Sequence, residues 1–262
     1  MKVSIVASAD NSTALRYGNI VFFVLTVIMN SLAGSTKIMG GRNTADVSNA
    51  YSTLITPAGY VFAIWGIIYI LLGVFVVYQA LPSQKGKEYL NKISWLFILS
   101  SIVNIAWLFT WQFEYLSLSV LLIFALLATL ILIYIRLGIG KSNVSLREKL
   151  AVHLPFSVYL GWITVACIAD VAATLVSYNW NGFGISPSTW AILVVAVALV
   201  ITMLMLATRK DIAYALVIIW ALVGIGVNHD GNQTVIMLTE VASGLVAIVL
   251  IATVLVSRVR KK

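Results

Sequence analysis

The stretch TPAGYVFAIWGIIYILLG, residues 56–73, decides how the chain is read. It is uncharged, and a helix needs about 20 such residues to cross the hydrocarbon core of a bilayer. Its residues are not evenly oily. Pro57, Gly59, Tyr60, Phe62, Trp65 and Tyr69 crowd the first two-thirds, and aliphatic side chains fill most of the rest. Leucine alone dissolves in lipid, so rings gathered at one end of a span suggest that the rings hold something. Phe62, Trp65 and Tyr69 follow at spacings of three and four and share one helix face. Proline is tolerated in a first turn, which starts this span at Pro57. Gly66 and Gly73 leave room for a neighbouring helix to approach.

The surroundings of this stretch are of the same kind. The 262 residues are 61% hydrophobic and 10% charged, with mean hydropathy +1.01. A soluble domain cannot hide so much apolar surface, so the bilayer is the solvent and the expected partner. Apolar runs predict eight helices over 17–38, 57–81, 91–113, 115–136, 149–177, 187–208, 211–228 and 233–257. The first competes with a cleaved signal peptide, since Ala33, Gly34 and Ser35 are small, but its apolar run is long for a signal. With the N-terminus inside, only Lys37 and Arg42 of the 17 Lys and Arg residues fall outside. That bias predicts a multi-pass protein of the cell membrane with both termini cytoplasmic. The net charge of +8 therefore reads as orientation, not as nucleic-acid binding. Cys167 lies in an apolar run and reads as a packed hydrophobe. No phosphate loop, paired-cysteine metal motif or nucleophile elbow is present, and no metal site is expected.

Two further spans carry a marked face. In NIAWLFTWQ, Asn104, Trp107 and Trp111 fall at i, i+3 and i+7. An amide facing lipid has no partner, so Asn104 is expected to point inward. In YLGWITVACIAD, Tyr159, Trp162, Ala166 and Asp170 form a third stripe. All three stripes run from mid-membrane to the outer surface. Trp95, Trp180 and Trp190 read as interfacial anchors; Trp111 reads equally as an anchor or a pocket residue. Asp170 and Glu240 are the acids within apolar spans, and such residues raise a functional hypothesis by default. Glu240 suits either a proton or cation site or a neutral acid bonded to a neighbouring helix. His153, at the cytoplasmic end of its span, reads as interfacial.

The three stripes resemble the tryptophan-rich sensory protein and translocator protein (TspO/MBR) family. The resemblance covers roughly residues 15–178. It rests on Pro57, Tyr60, Val61, Phe62, Trp65 and Tyr69; on Asn104 and Trp107; and on Pro155, Tyr159, Trp162, Ala166 and Asp170. It implies a five-helix bundle that binds flat hydrophobic ligands, porphyrins or sterols, beneath the loop joining the first two spans. The chain departs from the family pattern in several ways. Ala58 replaces a second proline, and Asp170 stands where asparagine is common. The loop lacks its usual tryptophan, leaving Tyr51 nearest. One residue is missing between Phe62 and Trp65, which turns Trp65 by about 100° on a regular helix. The last three spans have no counterpart in a five-helix bundle. The expectation is thus an all-α membrane protein with a TspO-like bundle over 1–180 and three added helices over 181–262.

Two functions are open at this level. One is a receptor or sensor whose outward-facing pocket takes a tetrapyrrole-like or sterol-like ligand, with residues 39–56 as a lid. Its pocket residues would be Tyr51, Phe62, Trp65, Tyr69, Asn104, Trp107, Trp111, Tyr159, Trp162, Ala166 and Asp170. The other is a secondary transporter of a small hydrophobic or amphipathic solute, proton-coupled through Glu240. A tetrapyrrole would be a ligand here and no cofactor is expected. Catalysis is not expected either, because His153 and His229 fall on opposite sides of the membrane. Small residues such as Ser243 and Ala247 on the last span permit a homodimer.

Overall fold

The computed structural model describes residues 2–35 and 40–259, and all regular structure among them is helical. In chain order the first helices are α1 (Lys2–Ser35), α2 (Thr44–Ala50), α3 (Ile64–Ala80), α4 (Glu88–Ile93), α5 (Leu96–Gln112) and α6 (Leu116–Leu137). They are followed by α7 (Leu146–Glu148), α8 (Leu154–Ser177), α9 (Pro187–Arg209), α10 (Ile212–Asn228) and α11 (Gln233–Val259). Among the described residues six segments are long and apolar enough to cross a membrane: Thr13–Gly34, Gly59–Ala80, Leu116–Leu137, Leu146–Ser177, Pro187–Arg209 and Gln233–Val256. The two shorter apolar helices, α5 and α10, have 17 residues each. At 1.5 Å per residue each covers about 25 Å, most of the hydrocarbon thickness. The protein is an all-α membrane protein.

The helices differ from the predicted spans where local chemistry intervenes. Helix α1 runs back to Lys2, because no glycine or proline interrupts residues 2–16. The predicted end of that span, residues 36–38, lies outside the described residues. The third span is broken at Ser94, whose φ of 50° ends α4 and lets α5 start in a new direction. The second span begins as a 3₁₀ turn over Gly59–Ala63. The fifth begins at Ser145, whose hydroxyl caps the backbone N–H of Glu148, and passes through a π turn over Lys149–His153. Pro155 cannot give an N–H to residue 151 and crowds its carbonyl, and the π turn absorbs that misfit. His153 sits in this turn at 5% exposure, so it is buried and not interfacial. Gly66 has open space where a Cβ would be and admits no neighbour, whereas Gly73 abuts Phe23 of α1.

Helices α1, α3, α5, α6 and α8 close a ring. Helix α1 packs on α3 and α5, α5 on α6, α6 on α8, and α8 back on α3. Helix α10 docks against the outside of α8, and α9 and α11 pack on α10 and on each other. At one end of the ring Phe75, Phe97 and Phe156 meet edge to face, with centroids 5.1–6.0 Å apart. Large aliphatic side chains such as Ile70, Val77, Leu121, Val200 and Ile248 are left on the outside. Such a belt is a liability in water and suits a lipid-facing surface.

Alternating helix directions gather Arg16, the 81–87 and 138–145 connections and the Arg209–Lys210 turn at the end of the bundle opposite the 40–58 segment. Arg16 also has a local task. Its guanidinium donates to the carbonyls of Gln79, Ala80 and Leu81 at 2.8, 2.6 and 3.0 Å. A cation there satisfies the last turn of α3 and complements its dipole. Lys37, Arg260, Lys261 and Lys262, also used to orient the sequence, lie outside the described residues.

Candidate functional site

The aromatic faces of α3, α5 and α8 converge at the end of the ring covered by residues 40–58. They surround a narrow cavity, smaller in its present form than a drug-sized ligand needs. Phe62 and Trp65 reach it from the second span, Trp107 and Trp111 from α5, and Trp162, Ala166 and Asp170 from α8. The missing residue between Phe62 and Trp65 does not separate them. In the 3₁₀ turn that holds Phe62, positions three apart eclipse each other, and both rings line the cavity.

The rings touch one another. Trp65 stacks on Trp107 at 5.9 Å between centroids and meets Trp162 edge to face at 6.1 Å. Trp107 stacks on Trp111 at 6.1 Å, and Phe62 meets Trp162 edge to face at 6.0 Å. A flat guest between Trp65 and Trp107 would need two contact gaps of about 3.5–4.0 Å each, more than their present separation. A guest therefore either lies along the stack, beside Trp162 and the small Ala166, or parts the two indoles.

Polar groups fix this wall. The Asp170 carboxylate, 1% exposed, accepts from the Trp107 indole N–H at 2.9 Å and from the Ser119 hydroxyl at 2.7 Å. It thereby ties α5 and α6 to α8. The Trp111 indole N–H donates to the Thr44 carbonyl at 3.2 Å and the side chain is 4% exposed, so Trp111 belongs to the interior and not to a lipid interface. Trp162 differs. Its indole N–H is buried and has no hydrogen-bond partner. A buried donor left unpaired costs about 1–3 kcal/mol and is rare in folded proteins.

The remaining predicted residues do not line the cavity. Asn104, wholly buried, accepts from the Asn30 side chain of α1 at 2.7 Å. Tyr159 lies beside Asn104 and near Tyr69, and Tyr69 stacks on Trp65 at 5.7 Å. These three form a polar floor beneath the rings, where the Tyr69 hydroxyl and the Asn104 amide nitrogen are also unpaired. Tyr51 stands outside the cavity and donates to Glu114 at 2.6 Å. Glu240 is exposed on α11, which packs on α9 and α10; it is remote from the aromatic cavity.

The cover over the cavity is built from residues 40–58. Asn43 and Asp46 make a reciprocal capping box at the start of α2, with bonds of 2.9 and 3.0 Å. Thr44 and Ser48 of α2, together with Pro57, complete the cavity wall. Glu114, in the α5–α6 turn, pairs with Arg42 at 3.1 Å besides accepting from Tyr51. That hydrogen bond, with burial second, raises the Tyr51 phenol above its usual 10.0. Helix α10 holds the other side of the cover. Ala58 N–H donates to the Gly224 carbonyl, the Trp220 indole to the Val61 carbonyl and the Asn228 amide to the Thr56 carbonyl, at 3.0–3.1 Å. The His229 Nε2 lies 3.0 Å from the Thr53 carbonyl. A Cβ on Gly224 would fall 2.0 Å from a Val61 methyl, so this approach requires glycine.

Five rings from three spans, with one buried acid bonded to an indole, are thus brought together under a polar cover. A family model described as TSPO-like protein matches residues 16–256. The chain belongs to the TSPO-like family. The match takes in α9, α10 and most of α11, so the three C-terminal spans fall inside it. No curated protein and no solved structure matches the chain. Among the described residues no group of three or more His, Cys, Asp or Glu side chains is arranged to hold a metal ion. Thr44, Ser48, Val165 and Ala169 of the cavity wall were not legible as site residues, because small side chains carry no pattern of their own. Glu114 and Trp220 were missed because their partners lie far away in sequence.

Proposed function

We propose that this TSPO-like protein is a membrane receptor or sensor for a flat hydrophobic ligand, tetrapyrrole-like or sterol-like, held in the aromatic cavity. The observation that carries this reading is the unpaired, buried indole N–H of Trp162 on the wall of a cavity lined by rings, small residues and the Asp170 carboxylate, which is already engaged. A conjugated guest gains about 1 kcal/mol per well-placed ring contact beyond burial. An acceptor on its edge gives the Trp162 donor a partner. Asp170 acts indirectly, holding Trp107 in place, and residues 40–58 act as the cover. In this reading the cavity opens away from the cytoplasm, both termini are cytoplasmic, and binding rather than catalysis is the activity. The transport reading gains no support from Glu240, which is exposed and remote from the rings.

Titration of the purified protein with protoporphyrin IX, followed by tryptophan fluorescence, tests the proposal. The expected result is saturable quenching that weakens in Trp65→Ala and Trp162→Ala. Quenching that never saturates, or that both variants leave unchanged, ends this reading.

A further inference from the structure

Glu240 is a marked residue that the aromatic cavity leaves unused. It lies about 10 Å along the helix axis from Gln233, where its span begins. Its carboxylate is exposed and has no hydrogen bond or ion pair among the described residues. Every other exposed Lys, Arg, Asp or Glu in the described spans sits within one turn of a span end, and Asp170 is buried. An acid facing hydrocarbon is costly, and such groups almost always meet a partner or a water-filled cavity. With two methylenes, glutamate also lacks the reach by which lysine and arginine snorkel out.

The helix face around Glu240 carries a regular seam. Met237, Val241, Gly244, Ile248, Ile251 and Leu255 are all exposed and recur at alternating spacings of four and three. On its opposite side α11 buries Val235, Thr239, Ala242 and Val246, where it packs on α9 and α10. Alternation of four and three is the seam of two helices crossing at a shallow, left-handed angle. Gly244 has open space where a Cβ would stand, a notch in mid-seam that lets a second backbone come close. Glu240 flanks the seam beside Val241, at the position where charged pairs select the partner in coiled coils.

The seam calls for a second helix, and Glu240 sets its chemistry. Another copy of this chain does not fit. Copies share one orientation in the bilayer, so their α11 helices would run parallel. Glu240 would then lie against Leu245 on the other flank of the seam and stay unpaired. We infer that this face of α11 docks a transmembrane helix of another protein, one that carries a lysine or arginine in the half of the bilayer nearest the 40–58 cover. The face lies outside the five-helix ring, so the inference is independent of what the aromatic cavity binds.

The full-length protein and a synthetic transmembrane peptide are mixed in phosphatidylcholine vesicles, and resonance energy transfer reports their association. The peptide repeats the α11 seam and carries one lysine on the flank facing Glu240; a twin has leucine there. The expected result is association roughly tenfold tighter for the lysine peptide than for its twin. Glu240→Gln should abolish that preference, and Glu240→Lys should transfer it to a glutamate peptide. Gly244→Leu fills the notch and should weaken the lysine peptide by a similar factor. Equal association of the two peptides overturns the inference, as does a lysine preference that survives in Glu240→Gln. A preference untouched by Gly244→Leu overturns the seam and the inference with it. Self-association of the protein that Glu240→Gln removes assigns the face to a second copy, which also overturns the inference. Both positions are exposed, so the variants should keep the wild-type melting temperature.

Discussion

Trp107, Trp111 and Trp162 face the same cavity, and only Trp162 keeps its N–H free of a protein acceptor. Trp162→Phe keeps a ring and removes the donor. Protoporphyrin affinity is expected to fall about two- to tenfold, the worth of one net hydrogen bond. Stability without ligand should hold or rise, because an unpaired buried donor is gone. A lower melting temperature together with unchanged affinity would assign Trp162 to packing. Asp170 presents the opposite case, since both of its oxygens are engaged. Asp170→Asn is tolerated, because the amide oxygen keeps the Trp107 N–H and the amide NH2 donates to the Ser119 hydroxyl, which turns to the Leu116 carbonyl. Asp170→Ala leaves the buried Trp107 N–H without its acceptor, at a cost of about 1–3 kcal/mol, and tryptophan emission should shift as Trp107 loosens. Asp170→Ala with wild-type melting and emission would contradict this account.

At the scale of elements, the cover is held from two sides. Gly224→Ala places a methyl against Val61, an overpacking worth about 1–3 kcal/mol that a gain in helix propensity of about 1 kcal/mol only partly offsets. Hydrogen exchange in residues 53–61 should quicken, while the middle of α6 stays protected. Unchanged exchange there would mean that α10 does not restrain the cover. On the other side, Tyr51 donates to Glu114, and that bond raises the phenol above 10.0. A raised value in the folded state means that the contact is intact below pH 10 and is lost as pH climbs through the raised value. Alkaline difference absorbance between wild type and Tyr51→Phe should therefore show a tyrosine that ionises later than an exposed phenol. In Glu114→Gln the same phenol should ionise earlier.

For the whole molecule, one carboxylate joins the ring to the C-terminal helices. Asp211 caps α10 through the Tyr214 N–H at 3.1 Å and accepts from the Tyr134 hydroxyl of α6 at 2.8 Å. The Ser157 hydroxyl of α8 donates to it as well. Asp211→Ala leaves two buried hydroxyls and a helix end without that acceptor, so about 3–5 kcal/mol of stability should be lost. Thermal unfolding in detergent measures the loss, and a change below 1 kcal/mol would show that α6, α8 and α10 are held together otherwise. The proposed orientation is also testable. With Cys167 buried, single cysteines at the exposed Ser83 and Ser52 report the two ends of the bundle. Ser83→Cys should be labelled by a membrane-impermeant maleimide only from the cytoplasmic side, and Ser52→Cys only from the other.

Composition and spacing alone determined that this chain is a helical membrane protein and that its rings fall on three faces. Apolar length is a property of consecutive residues, and the 3.6-residue repeat turns spacings of three, four and seven into a common side. The shared face of Asn104, Trp107 and Trp111 needed nothing else. Tertiary structure decided which marked residues wall the cavity and which lie beneath it, as for Tyr69, Asn104 and Tyr159. It decided that Tyr51 latches the cover from outside, and that α10 holds the cover from across 159–176 residues of chain. Those facts depend on helix directions and on close approaches such as Val61 against Gly224. A linear pattern cannot carry them, because the energy of a contact depends on what stands opposite, and the fold supplies that neighbour.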